Sequence, residues 1–146
     1  EYNETDKFFD KYASIETFKR SIQELVDFVF RKIGDDTGAL QIYFRFEDSA
    51  HALPPSGKHT VEEITLNFDN FPLRLYCLRI SENLVVLFNG SEKTSQSALA
   101  GKTSMTFTEA NQFASKILEA LYQKTIYITA DEREFRNFDG SVEILL

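Results

Sequence analysis

Residues 73–90 read LRLYCLRISENLVVLFNG, and this stretch decides the fold. Leu73 to Ile80 (LRLYCLRI) and Leu84 to Phe88 (LVVLF) are near-continuous apolar runs. Ser81, Glu82 and Asn83 separate them, and Asn89-Gly90 ends the second. Such runs suit strands covered on both faces, and so short a polar connector suits a tight antiparallel hairpin. The single cysteine, Cys77, lies inside the first run, where a thiol reads as a small buried hydrophobe. A nucleophilic reading would need a histidine beside it, and His51 and His59 both fall in an expected loop.

Working upstream, Val61 to Phe68 alternates, with Ile64, Leu66 and Phe68 on one face, and Asp69, Asn70 and Pro72 punctuate its end. Ser49 to His59, carrying Pro54, Pro55 and Gly57, reads as an exposed loop. Gln41 to Glu47 (QIYFRFE) alternates Ile42, Phe44 and Phe46 with Gln41, Tyr43, Arg45 and Glu47. That pattern predicts a half-buried strand with the first set inward. Before it, Ile15, Phe18, Ile22, Leu25, Val26, Val29 and Ile33 recur at three- and four-residue steps, the stripe of an amphipathic helix. Ser14 is its expected N-cap and Gly34 its expected stop. Phe28 and Phe30 fall beside the stripe and call for a second surface, the first helix or a partner. Thr5 to Tyr12 predicts a short helix with Thr5 as N-cap.

Downstream, residues 91–104 (SEKTSQSALAGKTS) are small and polar, the one candidate hinge. A helix is expected from about Thr108 to Gln123, with Phe107, Ala110, Phe113, Ala114, Ile117, Leu118 and Leu121 as its apolar face. Ile126 to Thr129 and Val142 to Leu146 are short β-prone runs flanking charged Asp131 to Asn137, with Asp139-Gly140 as a turn signal. No repeat or linker divides the chain. The expectation is one α+β domain over 1–146. Two N-terminal helices pack on an antiparallel β-sheet within residues 1–95, and residues 105–146 add a C-terminal helix and short strands.

Composition agrees with a folded domain. At 146 residues the chain is long enough to bury a core without disulfide or metal, and 42% hydrophobic residues exclude a disordered tail. Fourteen Phe and no Trp point to a core of phenyl rings. No run approaches the ~18 apolar residues of a membrane span, and no membrane partner is expected. Glu1 to Asp10 is polar and acidic with no visible signal peptide, and the chain does not begin with Met. A cytoplasmic location is expected, with an already removed export signal left open. The net charge of −7 argues against a general nucleic-acid coat, yet an acidic protein can carry a local basic patch.

Motifs of cofactor chemistry are missing: no Gly-rich phosphate loop, no paired Cys or His at metal spacing, no dinucleotide fingerprint. Asp35-Asp36 and Asp131-Glu132 lack a calcium-loop pattern. No metal and no cofactor are expected. What remains is a set of basic residues around the sheet: Arg45, Lys58, His59, Arg74, Arg79 and Lys93. Phosphodiester chemistry runs without metal when cations stabilise the charge developing on phosphate and a side chain moves the 2′-hydroxyl proton. The same residues also suit solvent-facing or salt-bridged positions, and only convergence on one face would separate the two readings.

From Arg74 to Thr94, RLYCLRISENLVVLFNGSEKT resembles the RelE/HigB group of bacterial toxins, and more closely a branch of short toxin-like proteins from gut-type Bacteroidetes with a similar "RLYC-R" strand. Two helices, a glycine and a strand bearing Arg45 precede it in matching order. The resemblance implies a helix-helix-sheet toxin component of a toxin–antitoxin-like system, cutting mRNA at the ribosome without metal and silenced by a cognate antitoxin. Carried over by position, Arg45 and Arg74 would contact the RNA backbone or scissile phosphate and Lys93 would be the basic residue after the hairpin, the three forming the expected catalytic set, with Arg79 as an addition. Lys58 and His59, from the basic set alone, are the other candidate substrate-binding residues. The sequence departs from the group in its acidic charge, in Glu92-Lys93 where a lysine pair is usual, and in the tail from Phe107. These departures favour an alternative on the same fold, a non-catalytic protein-binding module.

Overall fold

A computed structural model describes residues 2–61, 64–93, 104–144 and 146. The chain is α+β. It begins with α1 (Glu4–Ala13), a 3-10 turn (Glu16–Phe18), and α2 (Lys19–Asp27), which runs on as a π-helical segment (Phe28–Thr37). A four-stranded antiparallel sheet follows, in the order β1 (Arg45–Phe46), β2 (His51–Leu53), β5 (Leu73–Ser81), β6 (Leu84–Glu92). A separate hairpin joins β3 (Gly57–Val61) to β4 (Ile64–Phe68), inserted between β2 and β5. Helix α3 (Ser104–Gln123) and the small hairpin of β7 (Ile126–Ile128) and β8 (Phe135–Asn137) complete the described chain.

The β5–β6 hairpin is the centre, as its sequence predicts. Side chains alternate along β5, so Leu73, Leu75 and Cys77 enter one core and Tyr76 and Leu78 the other. The first core holds α1, α2 and the π-helical segment through Phe8, Tyr12, Ile22, Leu25, Phe28, Val29 and Ile33. The second holds α3 through Phe107, Ala110, Ala114, Ile117 and Ala120. The sheet is thus sandwiched between two helical layers, which is why both runs of the hairpin are apolar throughout.

Several elements differ from expectation for local reasons. Asn3, not Thr5, caps α1, in a reciprocal capping box with Asp6, and the Thr5 hydroxyl instead donates to the Phe88 carbonyl. Ser14 closes α1 rather than opening α2, which enters through the 3-10 turn after Ile15. Gly34 does not stop the second helix. The wider π turn carries the chain to Gly38, whose φ of 79° ends it in a conformation other residues avoid. Phe28 is buried against Tyr43 and Phe68, whereas Phe30 stays 53% exposed with its ring 5.9 Å from that of Phe9.

The strand expected over 41–47 is a 3-10 turn (Gln41–Tyr43) and then two strand residues. The turn breaks the period of two, so Tyr43 and Phe44 are buried while Ile42 and Phe46 face out. The loop expected at 49–59 contains β2 and the start of β3, with His51 buried. In α3, Phe113 and Leu118 are partly exposed and Ala120 is buried instead. The partner of β7 is Phe135–Asn137, inside the stretch read as a charged connector. The candidate hinge lies mostly outside the described residues. No described helix is long and apolar enough to cross a membrane.

Candidate functional site

Strand register places the basic residues. Arg45 stands opposite Ala52, and Ala52 opposite Tyr76, so the three side chains project from one face. Arg74, two residues before Tyr76 on β5, projects the same way, with Ser91 as its cross-strand neighbour on β6. Lys93 leaves β6 at this end, and its N–H donates to the Pro72 carbonyl at 2.7 Å, fixing it beside the start of β5. The face covered by α3 therefore has an apolar centre of Ala52, Tyr76 and Leu78 and a basic end.

Arg74 forms the floor of that end, with only 1% of its surface exposed, although arginine is almost never buried so fully. Burial pushes the Arg45 guanidinium below its ordinary range, the Arg74 charge lowers it further, and Glu47 and Tyr76 act in the opposite direction. Lys93 is lowered by burial first and then by Arg45 and Arg74, with Glu47 again opposing. Three cations from three segments thus lie within electrostatic reach of one another.

Glu47 is their acidic neighbour. Its Oε1 lies 3.4 Å from Arg45 Nη2, the two side chains being 20% and 22% exposed. That oxygen is buried, and its contact with Arg45 is an ion pair without hydrogen-bond geometry. The Ser91 hydroxyl oxygen, across from Arg74, is also buried with no hydrogen-bond partner among the described residues. Beside the cations lies a recess of about 40 Å3 lined by Arg45 and Lys93, the 54–57 turn, Phe68, Asn70, Phe71 and Leu73. Gly57 and Asn70, on either side of it, both hold positive φ, at 75° and 56°. Chemically, the arrangement can hold an anion and stabilise charge developing on it.

The other expected site residues lie elsewhere. Arg79 donates from Nε to the Ala39 carbonyl at 2.6 Å, tying the chain after the π-helical segment to β5. Lys58 and His59 sit on β3, where Lys58 is exposed and His59 Nε2 lies 2.7 Å from the Ser56 carbonyl. His51 projects to the face opposite Arg45, its ring 4.5 Å from Phe46 and its Nδ1 accepting the Arg79 N–H. Cys77 is fully buried in the first core, and burial pushes its thiol strongly up, as an inert structural thiol requires. Glu47, Asn70 and Ser91 are additions that sequence reasoning missed. Glu47 carried a signal, standing two residues from Arg45 on the same polar side of QIYFRFE.

Among the described residues no three His, Cys, Asp or Glu side chains gather as a metal site would require. Comparison with known proteins finds no family model, no curated protein and no solved structure that matches the chain.

Proposed function

We propose that this protein holds phosphate groups of RNA at Arg45, Arg74 and Lys93, and that it serves as the toxin component of a toxin–antitoxin-like pair. The observation that carries the reading is the gathering of three partly or fully buried cations at one end of the sheet. Like charges repel at that range, and burial removes the water that would screen them, so an anion seated among them relieves both costs. Phosphate is the anion most often met by clustered arginines, whose fork-shaped guanidinium pairs with two oxygens at once. RNA and the antitoxin partner enter from the likeness of residues 74–94 to the RelE/HigB toxins. The acidic remainder of the molecule confines RNA contact to this end of the sheet.

A second reading adds metal-independent cleavage of mRNA, and Glu47 favours it. On this reading the half-buried Glu47 carboxylate beside Arg45 acts as base for a 2′-hydroxyl while the cations stabilise the phosphorane-like charge. The test is fluorescence anisotropy with a short single-stranded RNA, followed by gel analysis of the same RNA with chelator present. Binding that weakens in Arg45→Gln and Lys93→Gln supports the phosphate reading, and binding unchanged in both refutes it. Cleavage by the unmodified chain that Glu47→Gln abolishes without loss of binding establishes the second reading. Intact RNA and normal growth on expression without a partner leave a binding module.

A further inference from the structure

Strand β6 is an outer strand of the four-stranded sheet, with β5 as its one neighbour. Hydrogen bonding fixes which of its residues face outward. Arg79 turns its backbone N–H to His51, on the β2 side of β5. Neighbouring residues of an antiparallel ladder point alternately to either side, so Leu78 turns its N–H and C=O toward its register partner, Val86. Val85 and Leu87, on either side of Val86, therefore turn theirs away from β5. Among the described residues no backbone hydrogen bond from outside the sheet reaches either.

Native proteins guard such an edge with a charge, a proline, a bulge or a covering element. Here the guard lies past Leu87. The register shifts so that Phe88 and Asn89 both stand opposite Tyr76, and the Thr5 hydroxyl donates to the Phe88 carbonyl. Leu84 to Leu87 reads LVVL, without charge or proline, and each residue is only half-buried. Two recesses flank this stretch. In the first, against the α2 layer, Val85 and Leu87 join Val29, Phe30 and Ile33 around about 420 Å3. The second, about 250 Å3, lies between α3 and the start of α1, with Phe88 and Phe113 as its aromatic walls. Side chains of an added strand alternate between faces, so one set meets the first recess and the other set the second. Asn89 Oδ1, at the second recess, is buried with no hydrogen-bond partner among the described residues, an acceptor that an incoming N–H satisfies.

Charge narrows the kind of strand. Asp35 and Glu82 line the first recess beside one cation, Arg133. Glu4 and Glu109 line the second, where Glu4 also pairs with Lys7 at 2.9 Å, and Lys116 stands 5.8 Å from the Phe113 ring. A second copy of the chain would bring the same carboxylates to the contact, each copy carrying a net charge of −7. A basic segment meets them with opposite charge.

We propose that the outer edge of β6 at Leu84 to Leu87 docks an extended segment of another protein, apolar at alternate positions and flanked by lysine or arginine. The segment adds to the sheet as a further strand: main-chain hydrogen bonds to Val85 and Leu87 hold it, and the two recesses select its side chains. This site lies at the turn end of the hairpin, away from Lys93, and does not depend on the phosphate reading.

The probe is a fluorescein-labelled synthetic peptide in which leucine alternates with threonine between pairs of lysines, titrated with the full chain by fluorescence anisotropy. It is expected to bind on the order of tenfold more tightly than the same peptide flanked by glutamates, and to slow hydrogen exchange at the Val85 and Leu87 amides. Of two versions N-methylated at alternate positions, one at the leucines and one at the threonines, one is expected to lose binding. Glu82→Lys and Glu109→Lys, at exposed side chains and checked for folding by circular dichroism, are expected to reduce the lysine advantage. No binding of the lysine peptide, or equal binding of both N-methylated versions, overturns strand addition. Equal affinity for lysine and glutamate flanks overturns the basic partner. A dimer in sedimentation whose Val85 and Leu87 amides are protected without peptide gives the edge to a second copy and also overturns the proposal.

Discussion

At Gly90 a side chain has nowhere to go. A Cβ there would collide with the Arg74 carbonyl oxygen and stand 2.6 Å from Phe8 Cε1. The close approach of α1 to β6 and the placement of Arg74 both depend on this hydrogen. Gly90→Ala is expected to cost about 1–3 kcal/mol, the usual range for overpacking, read as a lower urea midpoint. His51 makes a second residue-scale prediction. Burial, helped by the Arg79 charge, lowers its pKa below the ordinary 6.5, and its Nδ1 accepts the Arg79 N–H at 3.1 Å. The folded state therefore binds fewer protons than the unfolded chain as pH falls through that ordinary value. Stability is full above about pH 6.5 and declines below it until the folded-state pKa is reached. Denaturant midpoints between pH 8 and 5 should show this fall, and His51→Asn should flatten it. Cys77 should react with a thiol reagent only after denaturant is added, because no solvent path reaches its sulfur.

The elements were legible in the sequence to the degree that their period was unbroken. The hairpin is legible over residues 73–88, because two apolar runs and a polar connector leave few alternatives, but β6 runs on through Asn89-Gly90, its expected end, to Glu92. The helical stripe from Ile15 to Ile33 was legible, but its ends were not. Caps depend on single side chains, and here Asn3 and Gly38 hold positions that Thr5 and Gly34 could also have filled. The strand at 41–47 failed because a 3-10 turn shifts the phase, reversing which side is inward. Strand β2 was hidden by its setting: three residues next to two prolines look like loop, and only pairing with β5 makes them sheet. At this scale the cap is the test. Asn3→Ala removes the acceptor for the Asp6 N–H and should cost about 1 kcal/mol, without change in the far-ultraviolet spectrum of the folded state.

The whole molecule is a sheet between two helical layers, with one end of the α3 face left to charged groups. That division explains how an acidic chain can hold a basic site. The net charge of −7 is spread over solvated surface, whereas Arg45, Arg74 and Lys93 are gathered by strand register. The three cations were named from sequence; their convergence was not legible, because it depends on β2 bringing β1 to β5. Glu47, Asn70 and the recess were missed for the same reason, since a cavity belongs to the packing of turns distant in sequence. The salt dependence of binding to a short single-stranded RNA tests the central claim most directly, measured for the unmodified chain, Arg45→Gln and Lys93→Gln. Each substitution should weaken binding and flatten the log–log slope by about 0.7, the share of one phosphate contact on a single strand. An affinity and slope the same in all three proteins would contradict the assignment of a phosphate to this cluster.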